Sequence, residues 1–254
     1  MHEVRFRDAA GTVRTGAFAP DDDEITSHPS DAAVALEPDT FDPGEVEFLP
    51  PCEPTKVVCV GLNYADHAAE RGKDVPDRPL LFLKPPNTVA AHGETLRMLP
   101  GKERIDHEAE LAAVVGERAK DLNPTDAMDA VAGFTCLNDL SNRDDQDREQ
   151  NWVRGKAFDD SCPIGPVLAS PDEVPADAAV RCRLNGETVQ SSSRDQFIFS
   201  VSELLAEITT YMTLEPGDVV STGTPAGVGP VADGDTVEVE VEGIGTLRNH
   251  IEIP

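Results

Sequence analysis

HEAELAAVVG, residues 107–116, alternates acidic and small apolar residues at its start and stays apolar to its end. Side chains of a β-strand point to opposite faces in turn, so Glu108 and Glu110 share one face with Ala112 and Val114. The residues between them line the other face. The pattern predicts a strand that carries two carboxylates on one otherwise small or apolar face.

Two carboxylates on such a face are costly to bury unless a cation joins them. Oxygen ligands favour a hard cation such as Mg²⁺, Mn²⁺ or Ca²⁺. The spacing by itself leaves a second interpretation open, namely an exposed acidic edge in a very acidic protein.

The segments on either side of this stretch predict further short strands and short helices. Strand candidates are KVVCVGL (56–62), PLLFLKPP (79–86, buried), GFTCLNDL (133–140), the CRLNGETVQ hairpin (182–190) with its Asn185–Gly186 turn, GDVVSTGTP (217–225) and DTVEVEVEGIGTLRNHI (235–251). Helix candidates are NYADHAAERG (63–72) with an Asn63 cap and a Gly72 stop, NPTDAMDAVAG (123–133) with Pro124 first and a Gly133 stop, and SVSELLAEITTYM (200–212) with a Ser200–Glu203 capping box. The balance predicts a mixed α+β fold, mostly β.

The first 55 residues differ from the rest and predict a small N-terminal β subdomain with a linker, followed by a catalytic domain over residues 56–254. MHEVRFRD (1–8) and GTVRTGAF (11–18) have the pattern of two short strands around a turn. The acidic stretch 20–54, which contains several prolines, predicts loop and linker.

Composition excludes several classes of function. The 254 residues carry a net charge of −27, so nucleic acid and anionic membrane surfaces are poor partners. The sequence has no apolar run of about 18 residues and no secretory h-region, so we expect a cytoplasmic protein without membrane spans. Five cysteines without a CxxC pair predict buried free thiols. Acidic residues spread along the whole chain are typical of proteins kept soluble in high salt, and we expect a halophilic protein.

Four other groups are candidates for chemistry. Asp139 ends an apolar strand, and Arg143, four residues on, can hold a carboxylate. Lys156, in a predicted loop, can steady a developing negative charge, although a surface lysine is the simpler interpretation. His67 and Glu70 share a helix face as a general-base pair, or as an ordinary surface histidine with its partner. The glycines of residues 221–229 free backbone N–H groups to face an anion.

In combination these motifs are more specific. HEAELAAVVG, GFTCLNDLSNRD, GKAFDDSCPIGP, LNGETVQ and GDVVSTGTPAGVG, with NYADHAAE and PLLFLKPPNT, occur in this order and spacing over residues 56–252. This part of the chain resembles the fumarylacetoacetate hydrolase family, in its acylpyruvase and 2-hydroxyhepta-2,4-diene-1,7-dioate isomerase-like branch. The resemblance implies a β-roll or sandwich catalytic domain and a homodimer.

The resemblance also implies roles for individual residues. Glu108, Glu110 and Asp139 are expected to bind one Mg²⁺ or Mn²⁺. The catalytic residues are expected to be His67, Glu70 and Lys156, with His67 and Glu70 on a lid. Substrate binding is assigned to Arg143, Gln146, Thr224 and Lys84. Asn142 departs from the family, where alanine is common, and is expected beside the site.

The expected activity is hydrolysis of a carbon–carbon bond in an acylpyruvate-type 2-oxo acid, yielding pyruvate and a carboxylic acid. An oxaloacetate-type decarboxylase and an isomerase of 2-hydroxymuconate-type dienols are alternatives that use the same metal chemistry. A non-enzymatic protein that binds salt cations through its carboxylates is the remaining alternative.

Overall fold

Strands dominate the computed structural model, which describes residues 2–19, 24–28 and 39–254. The strands are β1 His2–Arg7, β2 Val13–Ala19, β3 Glu24–Ser27, β4 Thr40–Phe41, β5 Glu47–Leu49, β6 Val57–Gly61, β7 Leu80–Lys84, β8 Val89–Ala90, β9 Thr95–Arg97, β10 Ile105–His107, β11 Ala109–Val115, β12 Val131–Asn138, β13 Ser141–Asn142, β14 Cys162–Ala169, β15 Ala179–Leu184, β16 Glu187–Ser193, β17 Val219–Ser221, β18 Gly229–Pro230, β19 Thr236–Val241 and β20 Gly245–Glu252. The α-helices are α1 Ala65–Glu70, α2 Arg143–Gln146, α3 Val153–Lys156 and α4 Val201–Tyr211, and 3₁₀ turns span Pro43–Glu45, Pro86–Thr88, Ala127–Ala130 and Arg194–Gln196. The predicted mixed α+β, mostly β fold is confirmed.

Two sheets pack face to face around the main core. The larger has 12 strands in the order β4-β3-β2-β1-β14-β12-β11-β17-β6-β7, with β5 beside β1 and β8 beside β14. The second has five strands in the order β16-β15-β19-β20-β9, and it packs on β11, β12 and β14. A small third sheet, β13-β10-β18, lies at the start of β11. The arrangement agrees with the expected sandwich.

Strand β11 is buried on both faces, which explains its nearly continuous apolar sequence. Leu111 and its same-face neighbours join the core between the two sheets. Ala112 and Val114 join a smaller core with Val57 and Leu137 on the opposite face of the large sheet. The predicted alternation is therefore confirmed, and Glu108 and Glu110 belong to the face of the smaller core.

Several local predictions are confirmed and others are wrong. Asn185 and Gly186 both have positive φ and form the hairpin turn, and the Ser200–Glu203 capping box opens α4. The helix predicted over 123–133 is only the 3₁₀ turn Ala127–Ala130, because β12 begins at the β-branched Val131 and pairs along β11. Strand β7 is an edge strand, and its leucines at 80 and 83 are about half exposed rather than buried.

Asn63 does not cap α1 as predicted. Its buried side chain donates to the carbonyl oxygens of Phe199 and Thr222 and accepts from the Phe199 N–H. The residue at the N-cap is Tyr64, whose ring packs edge-on against Phe197 at 4.9 Å between centroids. The start of α1 is thus anchored by tertiary contacts rather than by a local cap.

The N-terminal strands continue the large sheet, because β1 pairs with β14 as well as with β2. The stretch 20–54, predicted as loop and linker, contains the short strands β3, β4 and β5 in its described part, so that prediction is wrong there. Residues 20–23 and 29–38 of this stretch lie outside the described residues. The division into 1–55 and 56–254 stays a prediction.

The predicted free thiols are confirmed, because all five cysteines are unpaired and four are fully buried. Among the described helices, none has the length and apolar character that crossing a bilayer requires.

Candidate active site

The end of the β11–β12 ladder brings three carboxylates together. Ala109 pairs with Asn138, and the ladder extends one step further because the Asp139 N–H donates to the Glu108 carbonyl at 2.9 Å. Alternation then directs Glu108, Glu110 and Asp139 to the same face. One oxygen of each carboxylate lies within 4.8 Å of the others, and all three residues are buried. The predicted acidic cluster is thus brought together.

Two cations lie against Glu108. Lys156 Nζ donates to Glu108 Oε2 at 2.7 Å and to Asp139 Oδ2 at 2.6 Å, and the Arg143 guanidinium pairs with the other Glu108 oxygen. Burial alone would raise the pKa of Glu108, but Lys156 and Arg143 hold it well below its usual value. Lys156 is buried at the end of α3 rather than in a loop on the surface.

Glu110 has the opposite electrostatic environment. Burial, and then the charges of Asp139 and Glu108, raise its pKa well above the usual value. Its Oε2 accepts from the Ser221 hydroxyl and, at 2.9 Å, from the Gly223 N–H. An extra positive charge among the three carboxylates would relieve this repulsion. Three carboxylates that offer only oxygen ligands fit a hard divalent cation such as Mg²⁺ or Mn²⁺.

Lys84, predicted to bind substrate, does not line the cavity. It is fully buried, and its Nζ lies 2.8 Å from Asp139 Oδ1 and donates to the carbonyl oxygens of Ser161 and Leu140. These contacts hold the Asp139 carboxylate from behind. The assignment to substrate binding is therefore wrong, and Lys84 is a positioning residue.

Lys84→Met is expected to destabilise the protein by about 3–5 kcal/mol, because it leaves the buried Asp139 carboxylate without one of its partners. Urea denaturation measures the change in the free energy of unfolding. The double variant Lys84→Met/Asp139→Asn should recover part of the loss, since it removes the unpaired charge as well. Equal loss in the single and double variants would contradict the ion-pair role.

Helix α1 carries the histidine–glutamate pair. His67 is 6% exposed, and its Nδ1 lies 3.1 Å from Glu70 Oε2. The other Glu70 oxygen accepts from the Gly227 N–H at 3.1 Å. Burial lowers the pKa of His67 from its ordinary value, which favours the neutral imidazole that can act as a base.

A cavity of about 320 Å³ joins these groups. The predicted residues that line it are His67, Glu108, Glu110, Asp139, Arg143, Gln146, Lys156 and Thr224. Glu70 supports His67 and lines a second cavity of about 240 Å³ that shares Arg71, Arg143 and Asp147 with the first. The structure thus brings together every predicted site residue except Lys84, which lies behind the acidic cluster.

The predicted substrate-binding residues are also held by the protein itself. Arg143 Nη1 donates to Gln146 Oε1 at 2.5 Å, and its Nε donates to Asp106 Oδ2 at 2.8 Å. Thr224 Oγ1 donates to the Ala109 carbonyl at 3.0 Å and accepts from Gln190 Nε2 at 2.9 Å. Both residues therefore line the cavity in a fixed orientation.

The glycine-rich segment 221–229 was predicted to offer backbone N–H groups to a bound anion. In the structure the Gly223 and Gly227 N–H groups instead donate to Glu110 and Glu70, which are carboxylates of the chain itself. The segment therefore positions both a predicted metal ligand and the partner of His67.

Sequence reasoning missed several residues that build the site. Asp106 pairs with Arg143, and Ser141 accepts from Lys156 Nζ at 2.6 Å. Both could have been predicted from alternation, because Asp106 lies two residues before Glu108 and Ser141 lies two residues after Asp139. Gln190 gave no such signal, because it reaches Thr224 from the other sheet. Asn142 is buried beside the cavity without lining it, as expected.

Comparison with known proteins finds relatives that match most of the chain. The model of the fumarylacetoacetate (FAA) hydrolase C-terminal family matches residues 56–252. The mitochondrial oxaloacetate tautomerase of Bos taurus is 41% identical over 231 residues, which cover 86% of this chain and 74% of that protein. A protein of Archaeoglobus fulgidus is 45% identical over 204 residues, covering 80% and 81% of the two chains.

Solved structures agree with this result. The 5-carboxymethyl-2-hydroxymuconate delta-isomerase of Mycobacterium smegmatis superposes with a TM-score of 0.89 at 34% identity, covering 100% of this chain and 99% of that one. The fumarylpyruvate hydrolase of Pseudomonas aeruginosa, solved with Mn²⁺ and pyruvate, gives a TM-score of 0.74 at 36% identity over 79% of this chain and 91% of that one.

Proposed function

Because the chain belongs to the fumarylacetoacetate hydrolase family, whose members include hydrolases and isomerases, we propose that it hydrolyses a carbon–carbon bond of an acylpyruvate-type 2-oxo acid. The observation that carries the proposal is the position of His67, whose Nδ1 lies 3.1 Å from Glu70 Oε2, on the cavity that the acidic cluster also lines. A base of this kind is what activation of water requires.

Glu108, Glu110 and Asp139 would hold the divalent cation, as the fit of their oxygen atoms indicates. When bound, Mg²⁺ or Mn²⁺ supplies Lewis-acid polarisation of the carboxylate and keto oxygens of a 2-oxo acid. Lys156, with its ammonium between Glu108 and Asp139, offsets negative charge that develops next to these carboxylates.

In the proposed reaction His67 takes a proton from water, and Glu70 stabilises the resulting imidazolium. The hydroxide attacks the distal carbonyl carbon of the acylpyruvate. The bond between that carbon and the methylene group breaks, and its electron pair stays with the pyruvate fragment. His67 returns the proton to the methylene carbon, so the products are pyruvate and the carboxylic acid of the acyl group.

Tautomerisation of oxaloacetate is a second candidate, favoured by the identity of 41% to the bovine enzyme. It needs only a base that moves a proton between carbon and the enol oxygen, and the lowered pKa of His67 favours the neutral form that accepts a proton. Decarboxylation of oxaloacetate and isomerisation of a hydroxymuconate-type dienol remain the alternatives stated from the sequence.

The deciding experiment follows pyruvate release from acetylpyruvate and from oxaloacetate, with Mg²⁺ or Mn²⁺, together with the decay of enol absorbance. Pyruvate from acetylpyruvate supports hydrolysis. Loss of oxaloacetate enol absorbance without pyruvate, and no reaction of acetylpyruvate, would favour the tautomerase. Rapid isomerisation of a hydroxymuconate with neither of the other reactions would overturn the hydrolase proposal.

We also propose a homodimer. No described residue pairs with the outer edge of β7, which ends the large sheet, and its leucines at 80 and 83 are 47% and 50% exposed. A second copy of the chain that covers this edge would pair its free backbone groups and bury its exposed leucines. Light scattering is expected to give about twice the chain mass of 27.2 kDa. A monomer at micromolar concentration with full activity would contradict the proposal.

A further inference from the structure

The side chains of Gln190 and Thr224 form a closed ring of hydrogen bonds with Ala109, the residue between Glu108 and Glu110. The Ala109 N–H donates to Gln190 Oε1 at 3.0 Å. Gln190 Nε2 donates to Thr224 Oγ1 at 2.9 Å, and Thr224 Oγ1 donates to the Ala109 carbonyl at 3.0 Å. All three members of this Ala109 ring are buried.

The chemistry of its members gives each bond of the Ala109 ring a single direction. A backbone N–H only donates, so the Gln190 atom that faces Ala109 N is the oxygen. Nε2 then donates to the Pro225 carbonyl at 2.9 Å as well as to Thr224, whose own hydrogen is left for the Ala109 carbonyl. Gln190 Oε1 also lies 3.0 Å from His107 Nδ1, so every hydrogen-bonding position of the amide is used.

The Ala109 ring holds both peptide groups of the backbone between two predicted cation ligands. The N–H belongs to the peptide that joins Glu108 to Ala109, and the carbonyl belongs to the peptide that joins Ala109 to Glu110. Further along β11, strand β17 supplies the neighbouring hydrogen bonds over Ala112–Val114. Two side chains thus continue at Ala109 what a strand provides later, and the positions of the two carboxylates follow from these peptide groups.

A β-bulge in β16 brings Gln190 to this position. Cys182 pairs with Gln190, but the next residue of β15 pairs with Thr188, so Val189 is the extra residue of the bulge. Bulges redirect side chains and recur beside active sites. The Val189 carbonyl also approaches Gly227, where φ is +95° and an added Cβ would lie 2.2 Å from that oxygen. The bulge therefore packs closely on the glycine-rich segment 221–229.

We propose that Gln190 is a positioning residue of the candidate active site, which fixes Glu108 and Glu110 for the cation through the Ala109 ring. The inference rests on the part of the proposed function that assigns the cation to the acidic cluster. Gln190 lies outside the described lining of the cavity, so it acts through Ala109 and Thr224 rather than on the substrate. Groups that orient metal ligands in this way typically change metal affinity by about 10- to 100-fold.

The variant Gln190→Met keeps the length of the side chain and removes its amide, which opens the Ala109 ring. Calorimetry is expected to show a rise in Kd for Mn²⁺ of about 10- to 100-fold. Asn249→Leu is the matched control, because Asn249 is a buried amide that donates to the Ala91 and Glu94 carbonyls, outside the cavity lining. The control should lose stability in urea but keep its Kd. A change in Kd of the same size in both variants, or in neither, would overturn the positioning role.

Thr224→Val opens the same ring at its other side chain, since it removes the hydroxyl and keeps the shape. The rise in Kd for the double variant Gln190→Met/Thr224→Val should therefore be smaller than the product of the two single rises. A rise equal to that product would show that the two residues act independently, which overturns the ring. If Gln190→Met does not fold, Thr224→Val alone carries the test, and an unchanged Kd overturns the inference.

Hydrogen exchange of the metal-free protein separates this inference from the proposed function. NMR is expected to show slow exchange of the Ala109 amide proton in the wild-type protein, exchange about 10-fold faster in Gln190→Met, and a much smaller change in Asn249→Leu. If the wild-type protein binds neither Mn²⁺ nor Mg²⁺, the cation assignment is wrong, and the exchange rate alone decides whether Gln190 fixes the strand. Rapid exchange in the wild-type protein, or an unchanged rate in Gln190→Met, would overturn the inference.

Discussion

Glu110→Gln is expected to lower kcat by more than about 10²-fold and to abolish stabilisation by Mg²⁺ or Mn²⁺, while leaving the fold intact. Glutamine keeps the shape of the side chain and an oxygen that can accept from Ser221 and Gly223. It removes one of three negative charges from the acidic cluster. The metal-free protein should not lose stability, because burial and the neighbouring carboxylates already disfavour the charged form of Glu110.

Thermal unfolding with and without the cation is the measurement. A ligand at about 100 times its Kd stabilises the folded state by about 2.7 kcal/mol, and the variant should lose this gain. Glu117→Gln is the matched control, since Glu117 is exposed just beyond the end of the same strand. Full activity of protein that is verified to be free of metal would show that the assignment of the cluster is wrong.

The second large effect is expected for His67→Ala, which should lower kcat for acylpyruvate hydrolysis by about 10²- to 10⁴-fold. The affinity for the cation should hardly change, because the predicted ligands are carboxylates at the start of β11 and directly after β12. In the wild-type enzyme, kcat/KM should fall as pH decreases through the pKa of His67. Burial lowers that pKa from its ordinary value, so protonation, which removes the base, shifts to lower pH than for a free imidazole.

His250→Ala provides a control, since His250 is exposed on β20 and bonds to Thr236 at 3.0 Å, outside the cavity lining. Glu70→Gln should lower kcat less than His67→Ala does, because it removes the charge that stabilises the imidazolium but keeps the base. Loss of cation binding by His67→Ala would instead identify His67 as a ligand. An unchanged kcat would remove it from the chemistry.

Local sequence signals predicted the parts of the fold that local physics determines. The alternation in residues 107–116, the Asn185–Gly186 turn and the Ser200–Glu203 capping box each depend on neighbours a few residues away. They were confirmed for that reason. The helix predicted over 123–133 failed because pairing of β12 with β11 took Val131 into a strand, and no local signal reports such pairing.

Residues of the candidate site were likewise predicted where a local pattern marks them and missed where their role depends on a distant contact. Glu108, Glu110 and Asp139 were found from alternation and from an acid at a strand end, and the family resemblance supplied the link between them. The substrate-binding role predicted for Lys84 was wrong, because the sequence around this lysine does not indicate that it pairs with Asp139, 55 residues later. Gln190 was missed because it acts across two sheets.

The parallel pairing of β17 with β6 has a consequence for synthesis of the protein on the ribosome. Val57 pairs with Val219, which lies about 160 residues later in the chain. Synthesis of those residues takes about 8–30 s at ordinary rates of translation. Until then the apolar strand β6 has only β7 beside it, and Glu110 lacks Ser221 and Gly223. The nascent chain therefore exposes an aggregation-prone segment for most of its elongation. Chains that stop before residue 219 are expected to depend on chaperones.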